Sequence, residues 1–452
     1  MLFQQVLYRD LGCASYVLGD GGKAVVVDPR FDIDVYLELA RDNNVEITHV
    51  IDTHDHADHM SGRVRLAERT GAIAHRPARS EDPNRNDIEP GQELFVGNLR
   101  LGALATPGHR PEHIAIVVSD ESRSPDPWLV LTGDSLLVGD LARPDLAVEP
   151  ELGSRELHSS VLGLLELGDH VEVWPGHVGG SLCGGTGLSA KTSSTVGYEA
   201  RTNPLLKLDE DSFVDRLMAG IPVRPPNIAH IVEGNRATFR REPERPHFLS
   251  SQELADVLRD DASVLDVREP GAFDAGHIAG AINLPAMTQA IGTRAGWAVR
   301  PEEALVIAAD DERVAWATAG ALHAVGLWRI VGIALDWDGL AIVSERSWSL
   351  QRLARAIRED AVDLFDVRDA NEWRCGHVDG SRHLPLAKLG SGRRLDLDLT
   401  GAPVAVACAA GARAAFAASL LRRGGIRDVV RVSGGGIGNL PTHGVRLVGG
   451  VA

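Results

Sequence analysis

The run Thr53-His54-Asp55-His56-Ala57-Asp58-His59 places three histidines and two aspartates within six residues. Imidazole nitrogen and carboxylate oxygen are natural ligands for Zn, Fe or Mn. The preceding residues 47–52 (ITHVID) have the character of a buried strand, so the cluster opens the loop at that strand's C-terminal end. Layered α/β folds place their sites at such ends. A histidine-rich solvated loop would need no completing ligands elsewhere, and here such ligands recur downstream.

Residues 101–106 read as a strand ending in Pro107-Gly108-His109, residues 128–132 as one ending in Gly133-Asp134, and residues 171–174 as one ending in Pro175-Gly176-His177. Each time a ligand-type side chain follows a glycine, which permits close approach of the backbone. The series T-H-x-H-x-D-H, G-H, G-D, G-H resembles the metallo-β-lactamase superfamily over about residues 1–240, and residues 25–29 (VVVDP) match another strand end of that fold. The resemblance implies an αββα domain.

The chain has 452 residues, enough for two to four domains, and its 44% hydrophobic content is that of a globular chain. A net charge of −17 with no basic cluster argues against nucleic acid and against anionic membrane surfaces as partners. The first twenty residues lack a basic stretch followed by an apolar one, so no signal peptide is expected, and no apolar stretch is long enough to span a membrane. Four widely separated cysteines do not form a disulfide framework. The expected setting is a reducing cytoplasm.

The second half repeats itself at a spacing of 100 residues. Asp266-Val267-Arg268-Glu269 recurs as Asp366-Val367-Arg368-Asp369, Gly276-His277 as Gly376-His377, and Leu284-Pro285 as Leu384-Pro385. That period is too long for a solenoid unit and suits a duplicated domain. Strands at 263–267 and 304–308 alternate with a helix at 315–324, the pattern of a parallel-sheet α/β domain. Residues 240–246 (RREPERP) read as a linker, which gives domains at 1–243, 247–345 and 346–452.

D-V-R-E, then G-H-I-x-G-A-x-N-L-P, then a strand ending in cysteine resembles the rhodanese family. In the last copy a strand at 404–407 leads into Cys408-Ala409-Ala410-Gly411-Ala412-Arg413 and a helix at 414–422. A six-residue loop of this kind wraps backbone N–H groups and a helix N-terminus around the sulfur, which favours the thiolate. Arg413 is expected to close the loop or hold an anionic sulfur species. Ala409 stands where such loops often carry Arg or Lys. In the first copy the same loop is Ala308-Ala309-Asp310-Asp311-Glu312-Arg313, with no cysteine and three acids, so that copy is expected to be inactive.

A metallo-β-lactamase domain followed by an inactive and an active rhodanese resembles persulfide dioxygenase–sulfurtransferase fusions, which take part in hydrogen sulfide detoxification. The resemblance implies one Fe(II) per chain on His54, His109 and Asp134, oxidation of a small-molecule persulfide by O₂ to sulfite and thiol, transfer of sulfane sulfur by Cys408 to sulfite, and a homo-oligomer. No organic cofactor is implied. His56, Asp58, His59 and His177 are then supporting groups; in the alternative, a dinuclear Zn thioester hydrolase of the glyoxalase II type, they complete a second metal site. Against that alternative, only about 60 residues separate His177 from the linker, little room for a helical thioester-binding domain. Arg143 is expected to hold the site through Asp145 or to touch substrate. Val178-Gly179-Gly180 follows His177 where glutathione-using members carry an aromatic residue. Cys183 is a candidate persulfide holder at the mouth of the iron site, whereas Cys13 and Cys375 read as structural.

Overall fold

The computed structural model describes residues 1–78, 86–179, 181, 183–185, 187–221, 223–237, 242–390 and 397–449. Arg240 and Arg241 of the linker, and Gly180 and Leu182 of the glycine-dense loop, lie outside the described residues. The chain forms two compact units, the first built mainly from Met1–Arg224 and Ile228–Glu242, the second mainly from Pro243–His323 and from Leu327 onward.

Two sheets face each other in the first unit. One runs in the order Leu2–Tyr8, Cys13–Asp20, Lys23–Val27, Glu46–Ile51, Ile73–His75; the other in the order Ser194–Thr195, Glu172–Pro175, Leu129–Gly133, Ile114–Asp120, Leu99–Ala105, Glu93–Val96. The two-residue period of a strand sorts its side chains. In Lys23–Val27, Val25 and Val27 join Tyr16, Ile51, Leu101, Ile116 and Leu131 between the sheets. Ala24 and Val26 turn outward and pack with Tyr36 and Leu66 of the helices Asp34–Asp42 and Arg63–Thr70. On the far side Val130 and Val173 meet Leu157, Val161 and Leu164 of the helix Pro150–Leu165 and Phe213 of the helix Glu210–Gly220. The result is the four-layer αββα arrangement that the sequence implies.

Both repeat copies lie in the second unit, each with its own parallel sheet. The strands run Ile282–Asn283, Ser263–Asp266, Leu305–Ala308, Ile330–Ala334 in one, and Ser347–Ser349, Val429–Ser433, Val404–Ala407, Asp363–Asp366, Arg382–His383 in the other. The repeated residues explain each other. Arg268 Nη2 donates to Asp266 Oδ2 at 2.6 Å and to the Gly276 carbonyl at 2.9 Å, and Arg368 does the same with Asp366 at 2.6 Å and Gly376 at 2.7 Å. His277 and His377 each place Nδ1 on the carbonyl four residues earlier. This is a clamp that ties a strand end to the following turn, and it is intact in both copies.

The active-type loop of the last copy is held from behind by Gly436. Its amide precedes the Ile437 N–H that donates to the Cys408 carbonyl at 2.9 Å, and a Cβ on Gly436 would stand 2.0 Å from the Ala409 oxygen and 2.2 Å from the Cys408 oxygen. Gly436→Ala should therefore destabilise the second unit by about 1–3 kcal/mol, the usual cost of overpacking. Gly438→Ala, with no atom within 4 Å of its Cβ, is the control and should unfold within a degree or two of the parent. Equal melting curves for the two variants would show that the loop is not braced in this way.

Candidate metal centre and sulfur-transfer loop

The strands Glu46–Ile51, Leu99–Ala105, Leu129–Gly133 and Glu172–Pro175 all end at the same edge of the sandwich, and the loops that follow bring His54, His109, Asp134 and His177 together. Glycine is needed at two of these turns. A Cβ on Gly133 (φ +48°) would lie 2.6 Å from His113 Nε2, and one on Gly176 would lie 2.5 Å from Asp134 Oδ1.

His54, His109 and Asp134 are buried to within 1% exposure, and one ligand atom from each lies within 4.8 Å of the others. His54 Nε2 is 3.9 Å and His109 Nε2 3.4 Å from Asp134 Oδ2. Among the described residues none of these three atoms has a hydrogen-bond partner. Buried polar atoms left in that state are costly, so three of them aimed at one point fit a cation.

The tautomers are fixed from outside. His109 Nδ1 lies 2.8 Å from the Arg143 carbonyl, which only accepts, so Nδ1 carries the proton and Nε2 the lone pair. Thr53 Oγ1 donates to Asp28 Oδ2 at 2.9 Å and so accepts from His54 Nδ1 at 2.9 Å, which leaves His54 Nε2 as a lone pair too. Burial, reinforced for His54 by His56, His113 and His109, holds both imidazoles below the usual histidine range. Burial opposes ionisation of Asp134, but His177 beside it keeps the carboxyl below the usual carboxylate range. Two neutral imidazoles and one carboxylate are the donor set of non-haem iron sites, and the same set can hold Zn.

His56 Nδ1 and His59 Nε2 are likewise buried without a hydrogen-bond partner among the described residues, and with Asp58 they form a second group able to hold a metal. His177 puts Nδ1 2.7 Å from Asp134 Oδ1 and Nε2 2.9 Å from Asp58 Oδ2; burial opposes its charge, but Asp134 and its other neighbours raise its pKa well above the usual range. His56 Nε2 lies 3.1 Å from Asp28 Oδ1, and although burial opposes charging, Asp28 pushes its pKa up to about 9. His59 Nδ1 is 3.0 Å from Asp58 Oδ1. Arg143 grips Asp145 with Nε–Oδ1 at 2.7 Å and Nη2–Oδ2 at 2.8 Å, so its side chain braces the segment whose carbonyl holds His109.

Cys183 is only 4% exposed, in a group with Asp134 and His177, and burial pushes its thiol up to about 11. Cys13 belongs to the site's surroundings as well, since its Sγ donates to Asp58 Oδ2 at 2.9 Å and its backbone bridges to His177. Sequence reasoning missed it because that contact joins residues 164 positions apart (177 − 13). Asp28 and His113 were missed in part. Asp28 adopts φ +52° to reach Thr53 and His56, and His113 Nε2 accepts the Asp134 N–H at 2.9 Å. The His109-to-His113 spacing was the available signal for the latter. Cys375, read as structural, is exposed and packs into no core.

In the last copy Cys408 is 2% exposed and its Sγ accepts the Gly411 N–H at 3.0 Å, with the helix Ala412–Arg423 starting at the next residue. Glu372 holds Arg413 at 2.5 and 2.8 Å and Asp369 at 3.2 Å, and Cys408 is among the groups that act electrostatically on its guanidinium. In the other copy Asp311 Oδ1 instead accepts the Arg313 and Val314 N–H groups at 2.9 and 3.2 Å, and the Arg313 side chain is 94% exposed. The acids there cap a helix and face solvent.

The metallo-beta-lactamase superfamily model matches residues 8–177, and the rhodanese-like domain model matches residues 250–337 and 349–439. The mitochondrial persulfide dioxygenase ETHE1 of Homo sapiens is 26% identical over 238 residues, 51% of this chain and 85% of its own length. A hydroxyacylglutathione hydrolase of Pseudomonas putida (strain W619) is 30% identical over 204 residues, 41% of this chain and 77% of its own. The match to the beta-lactamase hydrolase-like protein of Agrobacterium fabrum, 27% identical, takes in 44% of this chain and spans only 51% of that relative. A crystal structure of a metallo-beta-lactamase from Staphylococcus aureus subsp. aureus COL superposes with a TM-score of 0.66 at 30% identity, over 74% of this chain and 98% of that one. The chain belongs to the metallo-beta-lactamase superfamily and carries, behind that domain, two rhodanese-like domains.

Proposed function

We propose that the protein oxidises a low-molecular-weight persulfide with O₂ to sulfite and thiol, and passes sulfane sulfur through Cys408 to sulfite, giving thiosulfate. The reading divides the chain at 1–243, 247–345 and 346–452. The observation that carries it is the convergence of three partnerless buried atoms, His54 Nε2, His109 Nε2 and Asp134 Oδ2. These residues would hold one Fe(II), which when bound supplies open coordination positions for sulfur and oxygen. The likeness to persulfide dioxygenases supports iron over zinc.

The balance of the first reaction is RSSH + O₂ + H₂O → RSH + SO₃²⁻ + 2H⁺. The chain's own part is positional. Thr53 and the Arg143 carbonyl keep both imidazoles neutral and turned inward. His177 lies between Asp134 Oδ1 and Asp58 Oδ2, and the group His56, Asp58 and His59 beside it is where the dinuclear hydrolase reading would hold its second metal. The hydrolase reading retains support from the hydroxyacylglutathione hydrolase relatives. In the second reaction the Cys408 sulfur takes the terminal sulfur of a persulfide, releasing thiol, and sulfite then attacks that sulfur and frees the thiolate. The Gly411 N–H is placed to stabilise the negative sulfur in both forms. The middle copy, with Ala308 in place of the nucleophile, has no sulfur chemistry in this scheme.

No helix among the described residues is long and apolar enough to cross a membrane. Chemistry that depends on a free thiol suits a reducing cytoplasm, which is where this reading places the protein.

Given persulfide and O₂, the intact chain should release mainly thiosulfate. Cys408→Ser should leave O₂ uptake largely unchanged, cut thiosulfate on the order of 100-fold and let sulfite accumulate, because a serine hydroxyl cannot carry sulfane sulfur. Thiosulfate formed at the parent rate by that variant would remove Cys408 from the scheme.

Thr53→Val keeps the shape of residue 53 and removes the acceptor for His54 Nδ1–H. Iron should then be lost to a competing chelator at about 10–100-fold lower chelator concentration. Retention equal to the parent's would mean that the Asp28–Thr53–His54 chain does not orient the ligand.

A further inference from the structure

The metallo-beta-lactamase superfamily match ends at residue 177, yet a later helix of the first unit, Ile228–Arg236, is bonded to the histidine run. Residues 52–60 lie outside helix and strand. Their main-chain N–H and C=O groups have no ladder to join and need partners from elsewhere. Asn235, 6% exposed, supplies them. Its Nδ2 donates to the His56 carbonyl and to the His59 carbonyl, both at 2.9 Å, and its Oδ1 accepts the Ser61 N–H at 2.8 Å. Both N–H bonds of the amide and its oxygen are thus used on one loop. Gly234 lets the helix come this close, since a Cβ there would stand 2.5 Å from Met60 Cε. Arg236 adds a contact from its Nε to Asp55 Oδ2 at 3.1 Å.

The two carbonyls that Asn235 bridges bracket Asp58. One oxygen of that carboxylate lies 3.0 Å from His59 Nδ1, the other 2.9 Å from His177 Nε2. His177 Nδ1 is in turn 2.7 Å from Asp134 Oδ1. The remaining oxygen of Asp134, Oδ2, is the one that faces His54 Nε2 and His109 Nε2. An unbroken series of hydrogen bonds therefore runs from the Asn235 amide through the loop backbone, Asp58 and His177 to Asp134. His54 stands before the bridged stretch, and its ring is set separately by Thr53 and Asp28.

We propose that Asn235 is a positioning residue for the metal centre: by bridging the carbonyls of His56 and His59 it sets the path of the loop, so that Asp58 meets His177 and His177 holds the Asp134 carboxylate in place. The proposal rests on His54, His109 and Asp134 being the residues that hold the metal, and is indifferent to which metal or substrate they serve. It gives the helix Ile228–Arg236 a part in the site. The geometry also asks for an amide and not only for a side chain of this size. An aspartate has the same shape, but it would turn a carboxylate oxygen towards two carbonyl oxygens, with nothing to donate to either.

The test is metal binding by the metal-free full chain, at a temperature where melting curves show each variant to be folded. Zn(II) affinity is read by competition with a chromophoric chelator, and the site's geometry from the visible absorption bands of bound Co(II). Asn235→Ala should weaken the tightest Zn(II) site by about 10-fold, the lower end of the usual effect of losing a supporting hydrogen-bond partner, and should shift the Co(II) bands. Asn235→Asp should weaken it at least as much. Asn235→Gln, which keeps the amide on a longer stem, should fall between the alanine variant and the parent, and is the reading to use if the other two do not fold. Ile231→Ala is the control for loosened packing, because Ile231 lies on the same helix and is 1% exposed. It should lower the melting temperature and leave affinity and Co(II) bands as in the parent. Parent-like affinity and bands in the folded Asn235 variants, or an equal loss in Ile231→Ala, overturns the proposal. A parent that binds neither ion tightly contradicts the metal-centre reading itself, and that failure shows before any variant is compared.

Discussion

Two buried imidazoles can aim their lone pairs at one point only if each gives its other nitrogen to an acceptor that fixes the ring. Here the acceptors are the Arg143 carbonyl and Thr53 Oγ1, and most of the polar structure around the site holds those two groups still. Asp28 binds Thr53 through both its N–H and its hydroxyl. Asp145 grips Arg143. Beneath the histidine run Asp52 pairs with Arg63 at 2.9 Å, and Glu112 accepts both the Asp55 N–H and Arg110 Nε. Buried pairs of this kind add little net stability, but breaking one leaves an uncompensated charge, so they hold a loop in one geometry.

The ligand-type residues were legible in the sequence because they sit at strand ends, where an apolar run stops and a glycine follows. Their support was legible only in part. The Arg143–Asp145 pair was expected from the sequence and is present, but the hold of the Arg143 carbonyl on His109, the left-handed backbone of Asp28 and the strand pairing of Cys13 with His177 were not. None of these last three has a local signature. The three-dimensional contacts also correct two readings of single residues: Cys13, read as structural, lies against Asp58 beside the site, and Cys375 is on the surface.

The repeat is legible for a different reason. Asp-Val-Arg and Gly-His mark a clamp between a strand end and a turn, identical in both copies down to the acceptor carbonyl of residue 276 or 376. The clamp concerns folding, so it persists in a copy whose loop has Ala308 where the other has Cys408. The acids of that altered loop have a structural use, with Asp311 capping the helix that follows. What a shared motif says about fold and what it says about chemistry are thus separable within one chain.

The account depends most on the nature of the centre formed by His54, His109 and Asp134. Metal content of the protein purified without oxygen tests this most directly, read beside O₂ uptake with persulfide. The account predicts about one iron per chain, removed by His54→Ala, by His109→Ala and by Asp134→Ala, with uptake lost in step. About two zinc ions per chain, together with thioester hydrolysis and no O₂ uptake, would contradict it.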